Sequence, residues 1–589
     1  MGSTPLTRFR MYAPFLAVIG IQALLVAVAP STAPTAGDPA AFEAGQQPGD
    51  ERGGVQPGEP TDAGAPQATD SSPDVDGDET TGAGGGEVPD DGAESTGGQA
   101  GGGGAAQADV DEEQVDAQAQ EAEGDTSHCT EDGWQHDVIT SAPECRPVFT
   151  GSNPGATARG VTEDEIRIVW FQDDLNPVIA EILSQVNLED GFTDMQAYTE
   201  AAEDYLNEYY ETYGREIDLI FFHAEECPNT PPDPVGCRAE VRRMIEIHDP
   251  FMMIYAQVAN PVVHEEAARN GVIALGGWHR ANEFFEGQRP FRWDVNMDGT
   301  KTGDYVGEYY CKKLAGNEAT HGGSPIHPTF GVGDPPRRLG ILTPESEQNV
   351  LASRHIQALV QECSGEDSTL ISYETDVERA QEQAAAITAR LISDQVTTVL
   401  CMCDPIAPVF LTANFTSQQY FPEHLVGGVS FIDVDEVARL YDPQQWQHAF
   451  GVSHVTEPVP PEETANERIW EASGRDGGSP MNSGLMSLYY PLAGSMIHNA
   501  GPELNAQNVE RGMFDAPDRG GWDKTGDPTR ALVSFSEGDW TALTDVREVY
   551  WDNSRPSDGD GESGSYAPLY DGQRFIRGEL PDSLDVPEP

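Results

Sequence analysis

The groups in this chain that could do chemistry are its eight cysteines, thirteen histidines and one hundred carboxylates, and their spacing says more than their number. Cys129 and Cys145 flank a short segment, and Cys227 and Cys237 flank the loop Pro228-Asn229-Thr230-Pro231-Pro232-Asp233-Pro234. Loops of that size fit local disulfides, each stabilising by about 3 kcal/mol through the entropy of the unfolded chain, and disulfides belong to an exported protein. Cys311 with Cys363 fits a longer bridge. Cys401 and Cys403 are harder to join, because strand positions i and i+2 rarely close on each other, and with Asp404 they lack the second ligand pair of a metal site. No metal and no cofactor is expected.

Nucleophile and phosphate chemistry find no support either. The sequence holds no G-x-x-x-x-G-K phosphate loop and no G-x-S-x-G elbow, and His264-Glu265-Glu266-Ala267-Ala268 lacks the second histidine of a zinc protease. His264 reads as an exposed helix residue, Asp173-Asp174 as an ordinary pair in so acidic a chain, and the sequon Asn414-Phe415-Thr416 as chance. The protein is expected not to be an enzyme.

What must position any site is an alternation of strand and helix. Gly160-Val161-Thr162-Glu163-Asp164-Glu165-Ile166-Arg167-Ile168-Val169-Trp170-Phe171 predicts a turn and then a strand with Ile166, Ile168 and Trp170 on one face. A helical pattern begins near Pro177, and residues 195–213 form an acidic amphipathic helix. Then come a strand (216–223), a helix (237–248), a buried strand (251–257), a helix (264–270) and a fourth strand (271–276). Repeated βα units predict a parallel sheet covered on both faces, with ligands beyond the carboxyl ends of its strands.

The first 127 residues differ in character. Arg8 and Arg10 precede an apolar run, 11–29, so residues 1–30 read as an export signal or an uncleaved anchor, both open, with the remainder outside the membrane. Residues 31–127 carry 23 acids, one base (Arg52) and one aromatic (Phe42), too little apolar surface to offset the entropy of ordering, and are expected to be a disordered tether. The net charge of the whole chain is −67, and only four lysines occur, Lys301, Lys312, Lys313 and Lys524. That balance makes nucleic acid an improbable partner.

Several stretches resemble the solute-binding proteins of ABC transporters, of the branched-chain amino acid (leucine-binding-protein-like) family. GVTEDEIRI at 160–168 resembles the family's first strand. GVIALGG leading into RPFRWDVNMDGTKTGDYVGEYYCKKLAG resembles its fourth strand, the crossing and the helix that opens the second lobe. RRLGILTPESEQNVLASRHIQALVQECSGE, HLVGGVSFID, MNSGLMSLYYPLAGSMIHNAG and LVSFSEGDWTALTDVREVYWD follow in the family's order. The resemblance implies an α/β type 1 periplasmic-binding fold: two Rossmann-like lobes with parallel sheets, joined by three crossovers near Asn296, Glu457 and Ala531. It puts lobe 1 at 160–296 and 457–530, lobe 2 at 297–456 and 531–577, a cysteine-containing extension at 128–159 and a tail at 578–589.

The implied function is capture of a small molecule, of amino acid, amide or aromatic or organic acid type, for an ABC permease. The protein would act as a monomer outside the cytoplasm, tethered by its N-terminal segment. A ligand-sensing module with the same fold and no transport is the alternative. Position at strand ends nominates Phe171, Gln172, Asp173, Gln257, Asn260, Trp278, His279 and Arg280 from lobe 1, and Glu345, Glu347, Asp404, Ser430 and Phe431 from lobe 2. Glu345-Ser346-Glu347-Gln348 stands where amino-acid binders of the family carry Tyr-Gly, and Gly277-Trp278-His279-Arg280 where they carry small hydroxyl residues. Both departures argue against an ordinary branched-chain amino acid and for a bulkier ligand stacked on Trp278 and Phe171.

Overall fold

The computed structural model describes residues 124–587, apart from Thr140, Val258, Ala259, Val332 and Asp334. The apolar segment 1–30 and the acidic stretch up to residue 123 lie outside the described residues. Among the described residues no helix is long and apolar enough to cross a membrane.

Lobe 1 is built on a five-stranded parallel sheet of order β2-β1-β3-β4-β5, with β1 Glu165–Asp173, β2 Glu216–Ala224, β3 Met252–Ile254, β4 Ile273–Leu275 and β5 Arg292–Trp293. β1 lies between β2 and β3, so both of its edges are paired, and an apolar cluster covers each face. Ile166, Ile168 and Trp170 enter one apolar cluster and Val169 and Phe171 a second. Gly160 sets the entry to β1: its φ is +68°, and a Cβ there would collide with the backbone of Phe251. The connecting helices are α1 Pro177–Ser184, α2 Phe192–Tyr209, α3 Pro234–His248 and α4 Pro261–Arg269. Asp233 caps α3 by accepting from the Val235 and Gly236 amides, and proline opens α1, α3 and α4, where a missing N–H costs nothing.

His264 departs from the sequence expectation. It is fully buried rather than exposed, because α4 turns that face onto β3 and places Nε2 3.0 Å from the Tyr255 carbonyl oxygen.

Lobe 2 is built on a second sheet, β12-β11-β10-β9-β8-β6-β7, with β13 paired to β11. Its strands are β6 Leu339–Pro344, β7 Thr369–Tyr373, β8 Thr398–Cys401, β9 Glu423–Val426, β10 Ala449–Ser453, β11 Val546–Pro556, β12 Ser563–Pro568 and β13 Arg574–Phe575. β7, β6, β8, β9 and β10 pair in parallel, and the last three strands add antiparallel. The helices that matter below are α5 Gly299–Tyr309, α6 Glu347–Ser364, α7 Ala380–Ser393 and α8 Ala407–Ser417.

The two large apolar cores locate the passages between lobes. The lobe 1 core holds Trp293, then Ile469 to Met513, then Phe535, Trp540 and Ala542; the lobe 2 core holds Met297 to Val452, then Val546 onward. The third passage therefore falls between Ala542 and Val546 and not at Ala531. The physical reason is aromatic packing: Phe535 lies 5.6 Å from Trp293, centroid to centroid, and keeps the segment on lobe 1. Beyond residue 577, Leu580 is buried in the lobe 2 core and Lys312 donates to its carbonyl.

Four disulfides are formed: Cys129–Cys145, Cys227–Cys237, Cys311–Cys363 and Cys401–Cys403. The last corrects the expectation that i and i+2 would not close. β8 ends at Cys401, so the pair is not within extended strand, and the Cα atoms approach to 4.9 Å. Cys311–Cys363 closes the longest loop, 52 residues, and ties the end of α5 to the end of α6. Loop-closure entropy assigns it about 4 kcal/mol. A Cys311→Ser, Cys363→Ser double variant should lose stability of that order in urea melts, and a non-reducing peptide map should recover the four pairs. Free thiols at Cys311 and Cys363 in exported protein would refute this.

Candidate functional site

The carboxyl ends of both sheets face each other, and a cavity of about 160 Å³ lies between the lobes there. Lobe 1 contributes Leu175, Ile179 and Leu183 from α1 and its approach, Asn229 and Thr230 from the disulfide-closed loop after β2, and Gln257 after β3. Lobe 2 contributes the β7–α7 turn from Tyr373 to Val377, the α7 face Ala380, Gln383, Ala384 and Ile387, and the β8–α8 turn from Asp404 to Ala407 with Leu411. The lobes also touch directly beside it: Thr230 Oγ1 donates to the Thr375 carbonyl (3.2 Å) and accepts from the Val377 amide (3.4 Å).

Asp404 is held rigidly. Its Oδ2 accepts from the Tyr373 hydroxyl at 2.7 Å, and its Oδ1 accepts from the Ile406 and Ala407 amides at 2.9 and 3.1 Å, which fixes the start of α8. Burial, and then the charge of Asp404, push the Tyr373 phenol well above its ordinary value, so it stays a donor. A second recess adjoins the cavity through Glu374, Thr375 and Asp376; Arg280, Pro231 and Pro232 line it from lobe 1, and Glu345, Ser346 and Asn349 from lobe 2. Burial lowers the Arg280 guanidinium to about 10, still a cation at neutral pH.

The residues nominated by position thus separate. Gln257 and Asp404 line the cavity, Arg280 and Glu345 the recess. Trp278 and Phe431 meet each other instead, ring centroids 4.5 Å apart and nearly perpendicular, one from each lobe. Trp278 is 4% exposed, lines neither space, and its amide donates to Asp294 Oδ2. His279 follows it and packs 5.1 Å from His454; burial and the neighbouring His454 hold its imidazole well below the usual value, so it is neutral. Trp278 and His279 after β4, and Ser430 and Phe431 after β9, all have φ between 45° and 60°. Two adjacent non-glycine residues in left-handed conformation are uncommon, and here they recur after the fourth strand of each lobe and form a second contact between lobes, beside that of Thr230.

The remainder stand behind or beside the site. Phe171 is core, stacked on Phe222 at 5.6 Å. Gln172 accepts from Trp170 Nε1 and donates to the Asp173 carbonyl. Asp173 is fully buried and accepts from the Tyr255 hydroxyl at 2.8 Å; burial pushes its carboxyl up to about 7. Asn260 donates to the Pro228 carbonyl and ties the β3 loop to the disulfide-closed loop. Glu347 is exposed at the start of α6, and neither it nor Ser430 lines either space.

Sequence reasoning passed over α1, Asn229, Thr230, the β7–α7 turn and the α7 face. The signal was present: Val178, Ile179, Ala180, Ile182 and Leu183 form an apolar run directly after β1, and Ala380, Ala384 and Ile387 recur at helical spacing.

No protein-family model and no curated protein matches the chain. Solved structures do match. A solute-binding protein of an ABC transporter from R. palustris, in complex with 4-hydroxybenzoate, has a TM-score of 0.50 at 9% identity, over 71% of this chain and 98% of that one. A fatty acid ABC transporter substrate-binding protein from Thermomonospora curvata gives 0.49 at 12% identity, over 73% and 97%. A branched-chain amino acid ABC transporter protein from Thermus thermophilus, with bound valine, gives 0.47 at 10%, over 70% and 97%. Likeness at such identity speaks for the fold alone. With two sheets of parallel strands, three passages between their cores and a cavity at the facing strand ends, the described chain has the type 1 periplasmic-binding fold, the two-lobed architecture of ABC-transporter solute-binding proteins.

Proposed function

We propose that the protein captures a small molecule between its lobes, outside the cytoplasm, and delivers it to an ABC permease. The observation that carries this reading is the cavity of about 160 Å³ whose walls come from both lobes, so that an occupant is contacted on both sides only when the lobes are together. Four disulfides support an exported protein, and the acidic surface argues against nucleic acid as a partner. The test is a thermal-shift screen of the full chain against amino acids, amides, amines, nucleosides and organic acids. A ligand at a hundred times its Kd should add about 2.7 kcal/mol of stability. A screen in which no compound moves the melting temperature would end the proposal.

Closure should depend on the Trp278–Phe431 contact. The aromatic pair is worth about 0.5–1.5 kcal/mol beyond its buried area, so Trp278→Ala should shift the free protein toward an open form, read as a larger radius of gyration in solution scattering. An unchanged radius would show that other contacts hold the lobes together.

A further inference from the structure

α1 is the least conventional wall of the cavity. Five of its eight residues are aliphatic, Glu181 is the one charge, and not one residue of the helix is buried. Short apolar helices survive by burying a face against something. The face that Ile179 and Leu183 present borders the cavity, and across it stand Ala384 and Ile387 of α7 and Ile406 and Leu411 at α8. An occupant that completes this packing is itself largely apolar.

Its charge follows from what surrounds it. Among the described residues, the walls contain three carboxylates, Glu374, Asp376 and Asp404, and no arginine, lysine or histidine. Arg379 pairs with Glu374 from the exposed surface, and Arg280 lines only the adjoining recess, together with Glu345, Glu374 and Asp376. An anion placed among these walls would lose its hydration and face like charge in a medium of reduced dielectric. Hydrogen-bond acceptors, by contrast, are at hand on the three carboxylates and on the side-chain carbonyls of Asn229 and Gln257. Size is bounded too, since a cavity of about 150 Å³ holds a benzene-sized molecule.

We propose that the cavity takes a small, mainly aliphatic molecule that carries no negative charge and whose polar end donates hydrogen bonds, an alkyl amine or its uncharged amide counterpart. This rests on the reading of the protein as a solute-binding protein and sets aside the aromatic and organic acids.

The test uses the full chain and three probes of one skeleton at one pH: hexylamine, hexanamide and hexanoate. Hexylamine and hexanamide should raise the melting temperature in a saturable way, with Kd at least about tenfold below that of hexanoate. Ile179→Lys, at a half-buried position, should reverse the order by placing a cation beside the cavity, whereas Val235→Lys, at a site 79% exposed and away from the cavity, should leave it unchanged. Hexanoate binding as tightly as hexylamine, or an order of affinities that Ile179→Lys does not alter, overturns the assignment. If hexanoate raises the melting temperature in a saturable way and the amine and amide do not, only the ligand class is wrong. If neither these probes nor the broader screen moves the melting temperature, capture itself is wrong.

Discussion

Acidification from pH 7 to pH 5 is expected to destabilise the folded domain strongly, even though the chain is rich in carboxylates. The cause is a set of buried neutral histidines. Burial, first of all, lowers His136, His264 and His454 to about 3 and His424 and His498 to about 4, and takes His279 well below its ordinary 6.5. In the unfolded chain each titrates near 6.5. Between these values the unfolded state binds the protons and the folded state does not, so stability falls as pH drops below about 6.5. From pH 7 to 5 each group contributes a loss of about 2 kcal/mol.

Buried acids act in the opposite sense: burial raises Asp190, Asp298, Asp433, Asp435, Glu436 and Glu548, and most of all Asp173 and Asp294. Asp173 is raised to about 7 and Asp294 to about 6, chiefly by burial, so in this window the folded state takes up their protons and gains together about 4 kcal/mol. The gains of the other raised acids reduce the balance further, and the net is a loss on the order of several kcal/mol, a large share of the stability of a domain. Relief of surface repulsion sets in only as exposed carboxylates titrate near pH 4. Urea midpoints measured from pH 5 to 8 should fall steeply below 6.5, while the ring resonances of His136, His264, His279, His424, His454 and His498 in the folded protein stay at neutral positions down to pH 5.5. A midpoint that is flat or rising toward pH 5 would refute the assignment.

Glu423 is the second place where a single change should cost much. It sits at the start of β9 with 0% side-chain exposure and accepts from Arg337 Nε at 2.9 Å and Nη2 at 2.8 Å, with Arg337 at 1% exposure. Thr398 Oγ1 and the His321 amide complete its partners. Removing one member leaves the other charged and buried, so Glu423→Ala or Arg337→Ala should cost about 3–5 kcal/mol. The double variant Arg337→Met, Glu423→Leu should recover much of that, because it strands no charge. Equal losses from the single and double variants in urea melts would show that packing, and not the stranded charge, is what matters there.

The order of elements was legible in the sequence because it is carried by local patterning. The strand at Glu165–Asp173, the helix ending at His248 and the buried strand around Met252–Ile254 all announce themselves by apolar period and by Gly and Pro at their ends. Three of the disulfides were legible for the same reason, since loop length along the chain decides which cysteines can meet. Cys401–Cys403 was not, because it depends on where β8 stops, and that is set by pairing with β6 and β9.

Sequence by itself determined the fold and the end of the sheets at which a site would lie. Which side chains line the cavity was decided by tertiary structure. Trp278 and Phe431 look like ligand-facing aromatics when strand ends are counted, yet left-handed backbone at both turns them onto each other. His264 looks like a solvated helix residue, yet the register of α4 on β3 buries it. Ile179 and Ile387 are distant in sequence and unremarkable as residues of two helices, and only the approach of the two lobes makes them opposite walls of one cavity. Periodicity fixes a residue's face on its own element; the partner met by that face depends on packing between elements, which local sequence does not encode.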